Sequence, residues 1–287
     1  MPELPEVETI ARMLRMGGRE PAKGASPASG QASGGPALVG RHVLGVDLLW
    51  ARTLAEPTPE EFTLRLIGQV IEDIGRRGKF LYFRLSRNWL LFHLRMSGDL
   101  MVKPVGTPPE IHDRLILELE GDLMLVFNDA RKFGRVWLVD DVDQVVGELG
   151  PEPLDESLTA QMLFDRLHAT RRQLKPLLLD QTFLAGLGNI YVDEALNLAK
   201  LHPLTPANCI SPAQAYRLLE SIRLVLRDGI ARNGASIDWV YRGGDFQNYF
   251  RVYQRTGKPC PECGTPIARI TVGQRGTHFC PLCQPRE

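Results

Sequence analysis

Four of the five cysteines form two closely spaced pairs near the end of the chain. The pairs read CPEC, with Cys260 and Cys263, and CPLC, with Cys280 and Cys283. A C-x-x-C knuckle points two thiolates at one tetrahedral ion, and the stretch between the pairs suits a β-hairpin. Disulfide bonds are the alternative, but nothing in the sequence indicates an oxidising compartment. We therefore predict one structural Zn2+ and no organic cofactor, with Cys209 left as an inert packed thiol.

Two segments of the second half carry residues that suit a phosphate group. Arg275 lies between the knuckles in GQRGTHFC, where its forked donors match a phosphate, although a lone turn arginine is commonly only solvated. Asn189 follows the glycines of GLGNIYVDEAL, and a glycine-rich turn into a helix start exposes NH groups that also suit a phosphate. Ordinary helix capping by Asn189 is the simpler interpretation.

Three turns in the first half carry further candidates. Lys79 follows Gly78 in RRGKFLYF, and Met96 precedes a Ser-Gly turn in HLRMSGDL. Taken alone, such a lysine is usually solvated and such a methionine usually belongs to the core. Arg131 and Phe133 lie in NDARKFGRVW, where an exposed ring beside cations would suit stacking on bases. An ordinary β-turn with a buried phenylalanine is the alternative interpretation of the same sequence.

The elements that must position these residues change in character along the chain. The opening MPELPEVETIARML predicts an amphipathic helix from Pro5 to Leu14, because proline suits the first turn and the apolar residues recur at helical spacing. Between Leu38 and Val139, short apolar runs alternate with turn signals, which favours a β-sandwich or barrel. After a linker that begins at Gly150, the periodicity becomes helical.

These patterns predict an α+β chain with three domains. They are a β-sandwich domain with an N-terminal helix over 1–150, a helical domain over 151–245 and a zinc-binding β-hairpin over 246–287. In the helical domain, Ser211 followed by Pro212 predicts the cap and first residue of a long helix.

Composition and charge exclude few function classes. The chain has 287 residues, of which 44% are hydrophobic and 24% charged, as in an ordinary globular protein. No apolar run is long enough for a membrane span and no secretory signal is visible, so we expect a cytoplasmic protein. The 34 basic and 34 acidic residues cancel, but seven basic residues against one acid between Arg76 and Lys103 indicate a local basic face.

Taken together, the motifs resemble the formamidopyrimidine-DNA glycosylase family, bifunctional base-excision repair enzymes, over almost the whole chain. The motifs, in family order, are PELPEVET, RRGKF, HLRMSG, IHDR, DARKFG, LGPEPL, LKPLLLDQ, GLGNIYVDEAL, VYQRTGKPC and QRGTHFC between the C-x-x-C pairs. The endonuclease VIII branch is less similar. Its members usually open PEGPE and lack the residues that match Met96, Arg131 and Phe133, which in this family form the wedge that enters the DNA helix.

The resemblance implies a mechanism built on the second residue. Removal of Met1 would leave Pro2 as an N-terminal secondary amine, which is partly neutral and nucleophilic at cell pH. By resemblance, Pro2 displaces the damaged base from C1′ as an iminium (Schiff base), and Glu3 handles protons during ring opening. Lys79 and Arg275 match the positions that assist strand cleavage by β,δ-elimination.

The resemblance also implies how DNA is held. Met96, Arg131 and Phe133 would fill the space left by the flipped base, with Arg131 facing the orphaned partner. The residues expected to contact the DNA backbone are His112, Arg171, Asn189 and Arg275. Lys175 and Glu194 match positions near the lesion pocket. The expected partner is damaged double-stranded DNA, the expected state a monomer and the expected setting the bacterial cytoplasm and nucleoid. The helical domain would carry the helix-two-turns-helix motif of the family.

The chain departs from the family pattern in three places. The loop over residues 17–36 is longer than is usual in the family and is expected to be a mobile insertion. Ala130 stands where many members carry proline. The 235–253 segment, which in this family closes over the extruded base, is shorter than in some members. Two alternatives therefore stay open, namely an endonuclease VIII-like glycosylase for oxidised pyrimidines and a non-catalytic zinc-ribbon DNA-binding protein.

Overall fold

The computed structural model describes residues 1–18, 35–236 and 243–286. Most of the expected 17–36 insertion, and the middle of the 235–253 segment, lie outside the described residues. The helices are α1 (Leu4–Met16), α2 (Pro59–Leu66), α3 (Asp143–Val146), α4 (Ala160–His168), α5 (Leu174–Leu178), α6 (Asn189–Ala199) and α7 (Pro212–Ala231). The strands are β1 (Val43–Asp47), β2 (Leu54–Glu56), β3 (Ile71–Arg77), β4 (Phe80–Leu85), β5 (Trp89–His93), β6 (Gly98–Pro104), β7 (Asp113–Leu119), β8 (Leu123–Asp129), β9 (Arg135–Val139), β10 (Ala268–Val272) and β11 (Arg275–Phe279).

The chain forms two compact units. The first unit comprises Met1–Glu148 together with Arg232–Asp245, and the second comprises Leu149–Ala231 together with Phe246–Glu287. The chain thus leaves the first unit after Glu148 and returns to it for one short segment, Arg232–Asp245. None of the helices in the described part of the chain combines the length and apolarity needed to cross a lipid bilayer.

The first unit is a β-sandwich, which confirms the predicted fold class. One sheet has the strand order β1-β7-β8-β6 and the other β2-β9-β5-β4-β3. The two sheets share one apolar core, in which the ring of Phe92 lies 5.5 Å from Phe83 and 5.6 Å from Phe127, between centroids. Alternating residues of each strand therefore face a common interior, as sandwich packing requires.

Sequence patterns missed helices α2 and α3 and strands β2 and β6 of this unit. Helix α2 follows Pro57 and begins with a capped turn, in which the side chain of Thr58 accepts from the backbone NH of Glu61 at 3.3 Å. The Thr58 cap and Pro59 are ordinary helix-start signals, but they lie inside the 38–139 region that was predicted to be β-structure throughout. Strand β2 was missed because it has only three residues, and β6 because its polar residues Asp99 and Lys103 are half-buried and interrupt the apolar pattern.

The second unit contains helices and a C-terminal β-hairpin, the elements predicted for this part of the chain. Helix α7 begins at Pro212, and the Ser211 side chain accepts from the NH of Gln214 at 3.3 Å, which confirms the predicted start. Tyr191 of α6 is fully buried, and a Cβ at Gly229 of α7 would lie 2.6 Å from its ring. Glycine at 229 therefore permits the close approach of α6 and α7. Strands β10 and β11 form the hairpin.

Candidate active site and nucleic-acid interface

Helix α1 carries the residues expected to do the chemistry at its amino end. Glu3 is the N-cap and forms a capping box with Glu6, whose Oε2 accepts from the Glu3 NH at 2.8 Å. Pro2 and Glu3 are both buried, and Glu3 is only 3% exposed. Because the cap satisfies NH groups that a helix start leaves open, it holds the chain rigidly at Pro2.

Two ion pairs fix the direction of α1 along strand β3. Glu8 of α1 pairs with Arg76 of β3 at 3.0 Å. About two helical turns later, Arg15 of α1 pairs with Asp73, which lies earlier in β3, at 2.9 Å. The helix and the strand therefore run in opposite directions. It follows that the amino end of α1, with Pro2, points toward the end of β3 that leads to Gly78 and Lys79.

The charge of Glu8 is maintained within this contact. Burial raises the pKa of its carboxyl, but the guanidinium groups of Arg76 and Arg12 outweigh that effect and the net pKa is lowered. The Glu8 carboxylate therefore stays charged at neutral pH. The apolar side of α1, from Val7 to Leu14, lies in the core of the sandwich.

Lys79 lies in the two-residue turn between β3 and β4. Arg77 pairs with Phe80 across that turn, and Gly78 takes a positive φ of 57°. Glycine adopts this conformation without the penalty that other residues carry. Lys79 is 6% exposed, so it is not the solvated turn lysine of the ordinary interpretation.

His93 is a candidate that the sequence patterns did not single out. It pairs with Phe80 across β4 and β5, its ring packs edge-on to Phe80 at 4.6 Å between centroids, and its Nδ1 accepts from the NH of Arg95 at 3.1 Å. Burial, together with the charges of Arg95 and Lys79, lowers the pKa of His93 to about 3. The ring is therefore neutral at cell pH, with Nε2 left to carry its proton. Its place in HLRMSG was the only sequence signal.

The expected wedge residues come from two loops that a buried carboxylate joins. Asp129 is fully buried and accepts from the Ser97 hydroxyl, from the NH of Arg131 at 3.2 Å and from the NH of Gly134 at 2.7 Å. Ser97 follows Met96, while Arg131 and Gly134 bracket Phe133. One side chain thus holds the two loops together, and motif reading had assigned it no role.

The two wedge residues of the second loop are exposed and contact each other. Phe133 is 51% exposed, and the Arg131 guanidinium lies 5.2 Å from its ring centroid. A buried phenylalanine, the ordinary interpretation of this turn, is therefore wrong. Beside them, the ammonium of Lys132 lies 4.0 Å from the ring of Trp50. His112 is also exposed, and its carbonyl accepts from the NH of Asp129 at 2.8 Å.

In the second unit, Asn189 is the first residue of α6. The N-cap is Gly188 and no side chain caps the helix, so the capping interpretation of Asn189 is wrong. Its Nδ2 instead donates to the carbonyl of Gly276 at 3.2 Å and approaches the Tyr253 hydroxyl at 3.5 Å. Its Oδ1 is buried without a hydrogen-bond partner among the described residues.

Arg275 begins β11 immediately after a two-residue turn. Val272 pairs with Arg275 across the hairpin, and the Arg275 side chain is exposed. Arg171 is exposed just before α5. Both arginines therefore have their charge at the surface of the second unit.

Helix α6 presents buried polar side chains to the C-terminal segment. Glu194 accepts three backbone NH groups, from Arg251 at 2.8 Å, Val252 at 3.0 Å and Tyr253 at 2.8 Å. Burial raises the pKa of Glu194, and these three donors oppose that shift. Lys175 is also fully buried, and its Nζ donates to the carbonyl of Gly276 in the same C-terminal segment.

The four predicted zinc ligands come together. The Sγ atoms of Cys260, Cys263, Cys280 and Cys283 all lie within 4.8 Å of one another. Tetrahedral Zn–S bonds of about 2.3 Å separate sulfurs by about 3.8 Å, so the four thiols fit a zinc ion after small adjustments. Cys209 is exposed, which makes the prediction of a packed thiol wrong.

Comparisons with known proteins agree with this arrangement. Three family models match: the formamidopyrimidine-DNA glycosylase N-terminal domain over residues 32–136, its H2TH domain over 149–240, and the zinc finger found in FPG and IleRS over 257–286. The formamidopyrimidine-DNA glycosylase of Protochlamydia amoebophila is 41% identical over the full length of both chains. The chain belongs to the formamidopyrimidine-DNA glycosylase family.

Other members of the formamidopyrimidine-DNA glycosylase family extend the comparison. The Chloroflexus aggregans glycosylase is 44% identical over 99% of this chain and 98% of its own. A solved structure of the Lactococcus lactis Fpg (MutM), in complex with DNA that contains Fapy-dG, is 36% identical and covers 99% of this chain and all of its own, with a TM-score of 0.86. The similarity therefore includes the fold of both units.

Proposed function

We propose that this chain is a DNA glycosylase with AP-lyase activity, which removes oxidised purines, chiefly 8-oxoguanine and formamidopyrimidines, from double-stranded DNA. The observation that carries the proposal is the rigid, capped amino end of α1, which aims Pro2 toward the Lys79 turn. The family relationship supports the same activity. We place the enzyme in the bacterial cytoplasm and nucleoid, because the relatives named above are bacterial.

The first chemical step needs the Pro2 nitrogen as a free amine. Met1 precedes Pro2, so the amine is released only when Met1 is removed. The nitrogen then bonds to C1′ of the damaged nucleotide, and the bond between C1′ and the base breaks, with its electron pair leaving on the base. The nitrogen loses its own proton, the C1′–O4′ bond of the sugar ring breaks with its electron pair taking up a proton at O4′, and the nitrogen lone pair forms an iminium with C1′. Because proline is a secondary amine, this iminium has no N–H proton to lose and keeps its positive charge.

The second step cleaves the DNA strand. The iminium withdraws electrons from C2′, so a C2′ proton is lost and the bond between C3′ and the 3′ phosphate breaks. The 5′ phosphate leaves in the following elimination, which produces a gap with phosphates at both ends. Lys79 and Arg275 supply cations that stabilise the departing phosphates, and Glu3 exchanges protons as the sugar ring opens.

Access to C1′ requires the damaged base to leave the helical stack. Unstacking costs a few kcal/mol, and a side chain that fills the vacated space offsets part of that cost. Phe133 and Arg131, which are exposed and paired, together with Met96, are suited to this wedge. His112, Arg171 and Asn189 complete the proposed contacts with the DNA backbone.

Borohydride trapping tests the proposed nucleophile. Reduction of the protein mixed with a duplex that contains 8-oxoguanine opposite cytosine should give a covalent protein–DNA adduct, and Pro2→Gly should form it much more slowly, because a primary amine gives an imine that can lose its N–H proton and its charge. Pro5→Ala is the matched control, because Pro5 lies in the first turn of the same helix. Intact mass must first show that Met1 is absent. Trapping by Pro2→Gly at the parental rate would refute an iminium at Pro2.

A second duplex separates the remaining alternatives. Faster cleavage of thymine glycol than of 8-oxoguanine would instead support an endonuclease VIII-like activity. Tight binding of both duplexes without any cleavage would support a non-catalytic DNA-binding protein.

A further inference from the structure

The backbone carbonyl next to Arg275 is held by two side chains from elsewhere in the second unit. Lys175 of α5 donates its Nζ to the carbonyl of Gly276 at 3.0 Å, and Asn189 of α6 donates its Nδ2 to the same oxygen at 3.2 Å. An ammonium and an amide thus converge on one acceptor, whose two lone pairs are both used. The peptide group that follows Gly276 is fixed as a result.

Asp193 of α6 completes this connection. Its Oδ1 lies 2.6 Å from the Nζ of Lys175, and both side chains are fully buried. Its Oδ2 accepts from the backbone NH of His278 at 2.9 Å. The buried pair therefore grips β11 at two points, the carbonyl of Gly276 and the NH of His278.

Stability alone does not account for a buried ion pair at this place. Desolvation of two charges offsets most of their attraction, and apolar replacements of similar volume are often neutral or stabilising. What the pair does provide is direction, because an ammonium and a carboxylate each reach a defined backbone group of one strand. That strand begins with Arg275, a long and exposed side chain.

We infer that Lys175 and Asp193 are positioning residues that fix the start of β11 and so present Arg275 to a DNA phosphate. The inference rests on the proposed function of Arg275. A fixed backbone removes part of the ordering cost of phosphate binding, and a misplacement of about 1 Å can cost on the order of a hundredfold in rate. The zinc ligands restrain the far end of the same strand, at Cys280.

A double-mutant cycle tests whether Lys175 acts through Arg275. Lys175→Met is made in the parent and in an Arg275→Ala background, and affinity for a duplex with a tetrahydrofuran abasic-site analogue is measured by fluorescence anisotropy. We expect about a tenfold loss or more in the parent and less than about twofold in the Arg275→Ala background. Additive losses would overturn the inference, because Lys175 would then act independently of Arg275.

Single-turnover kinetics of the same variants give a second test of the inference. Single-turnover rates of base excision and of strand cleavage are compared on an 8-oxoguanine duplex. Lys175→Met should slow strand cleavage more than excision, since Arg275 is assigned to the elimination. Equal slowing of both steps would indicate a general structural defect and would overturn the inference.

Lys200→Met is the matched control. Lys200 also forms an ion pair with the C-terminal segment, through Glu262, but it is 33% exposed and does not reach β11. The same chemical change there should leave affinity and both rates at parental values. A loss as large as that of Lys175→Met would overturn the specific role of Lys175.

A variant that leaves no buried charge unpaired serves as the control for misfolding. Lys175→Met leaves the Asp193 carboxylate buried and unpaired, whereas Lys175→Met with Asp193→Asn removes both charges. The double variant should retain zinc and its circular dichroism spectrum yet keep the loss of affinity. Parental affinity in this folded variant would overturn the inference. If Arg275→Ala itself changes neither affinity nor strand cleavage, the proposed function of Arg275 fails, and the inference with it.

Discussion

Replacement of His93 by glutamine should change how the stability of the first unit depends on pH. Burial and the nearby charges of Arg95 and Lys79 lower the pKa of His93 from 6.5 to about 3 in the folded protein. Below pH 6.5 the unfolded chain therefore binds a proton that the folded protein does not. Stability is lost as the pH falls from about 6.5 to about 3, and none is lost through this group above that window.

The size of the effect follows from the two pKa values. At pH 5 a histidine with a pKa of 6.5 is about 97% protonated in the unfolded chain, which favours unfolding by about 2 kcal/mol. This figure hardly depends on the exact folded pKa, because pH 5 lies well above it. His93→Gln removes the titrating ring, while its amide oxygen can still accept from the NH of Arg95.

Urea unfolding at pH 7 and pH 5, followed by tryptophan fluorescence, measures the difference. The tryptophans that the structure describes, Trp50, Trp89 and Trp137, lie in the first unit. The free energy of unfolding should fall between pH 7 and pH 5 by about 2 kcal/mol less in His93→Gln than in the parent. Ile74→Val, a buried substitution in the same sheet, should cost about 1 kcal/mol equally at both pH values. An identical fall in His93→Gln and the parent would refute a neutral, buried imidazole.

Four further perturbations give distinct readouts. Asp129→Asn should lower stability by about 2 kcal/mol in urea unfolding and weaken binding of an abasic-site duplex, because it disturbs three hydrogen bonds that hold the wedge loops; parental values of both would contradict that role. Phe133→Ala should weaken the same binding about tenfold in anisotropy without changing stability, since the ring is half exposed and suited to stacking. Gly229→Ala should destabilise the second unit by about 1–3 kcal/mol in thermal unfolding, because its Cβ meets the Tyr191 ring. Removal of zinc by a chelator should unfold the hairpin and reduce DNA affinity, and unchanged affinity would exclude the hairpin from binding.

Residues whose role depends on local spacing were predictable from sequence. The four cysteines act as pairs three residues apart, so their convergence follows from two local knuckles and one hairpin. The start of α1 was equally visible, because proline in the first turn and apolar residues at helical spacing are properties of one short segment. The strands of the sandwich were found wherever both alternation and turn signals were present.

Residues whose role depends on distant parts of the chain were missed. Asp129 looked like an ordinary turn residue, and only the return of the 95–97 loop to its side gives it a second set of partners. His93 ends an apolar strand, and its depressed pKa depends on burial and on the cations of neighbouring turns. Neither property has a signature in the residues immediately before and after.

Helix α6 shows most clearly why local pattern fails in the second unit. In NIYVDEALNLA the polar residues recur as on a solvated helix face, yet Asp193, Glu194 and Asn197 are at most 1% exposed. Apart from Lys175, which pairs with Asp193, the groups that satisfy them lie between 50 and 90 residues further along, in the segment that leads to and includes the zinc-binding hairpin. Buried polar groups require such partners, so the face that resembles a solvent boundary is in fact an internal contact. The position of Arg275 is therefore specified as much by α5 and α6 as by the cysteines, which is the reason a substitution at Lys175 is expected to act at the hairpin.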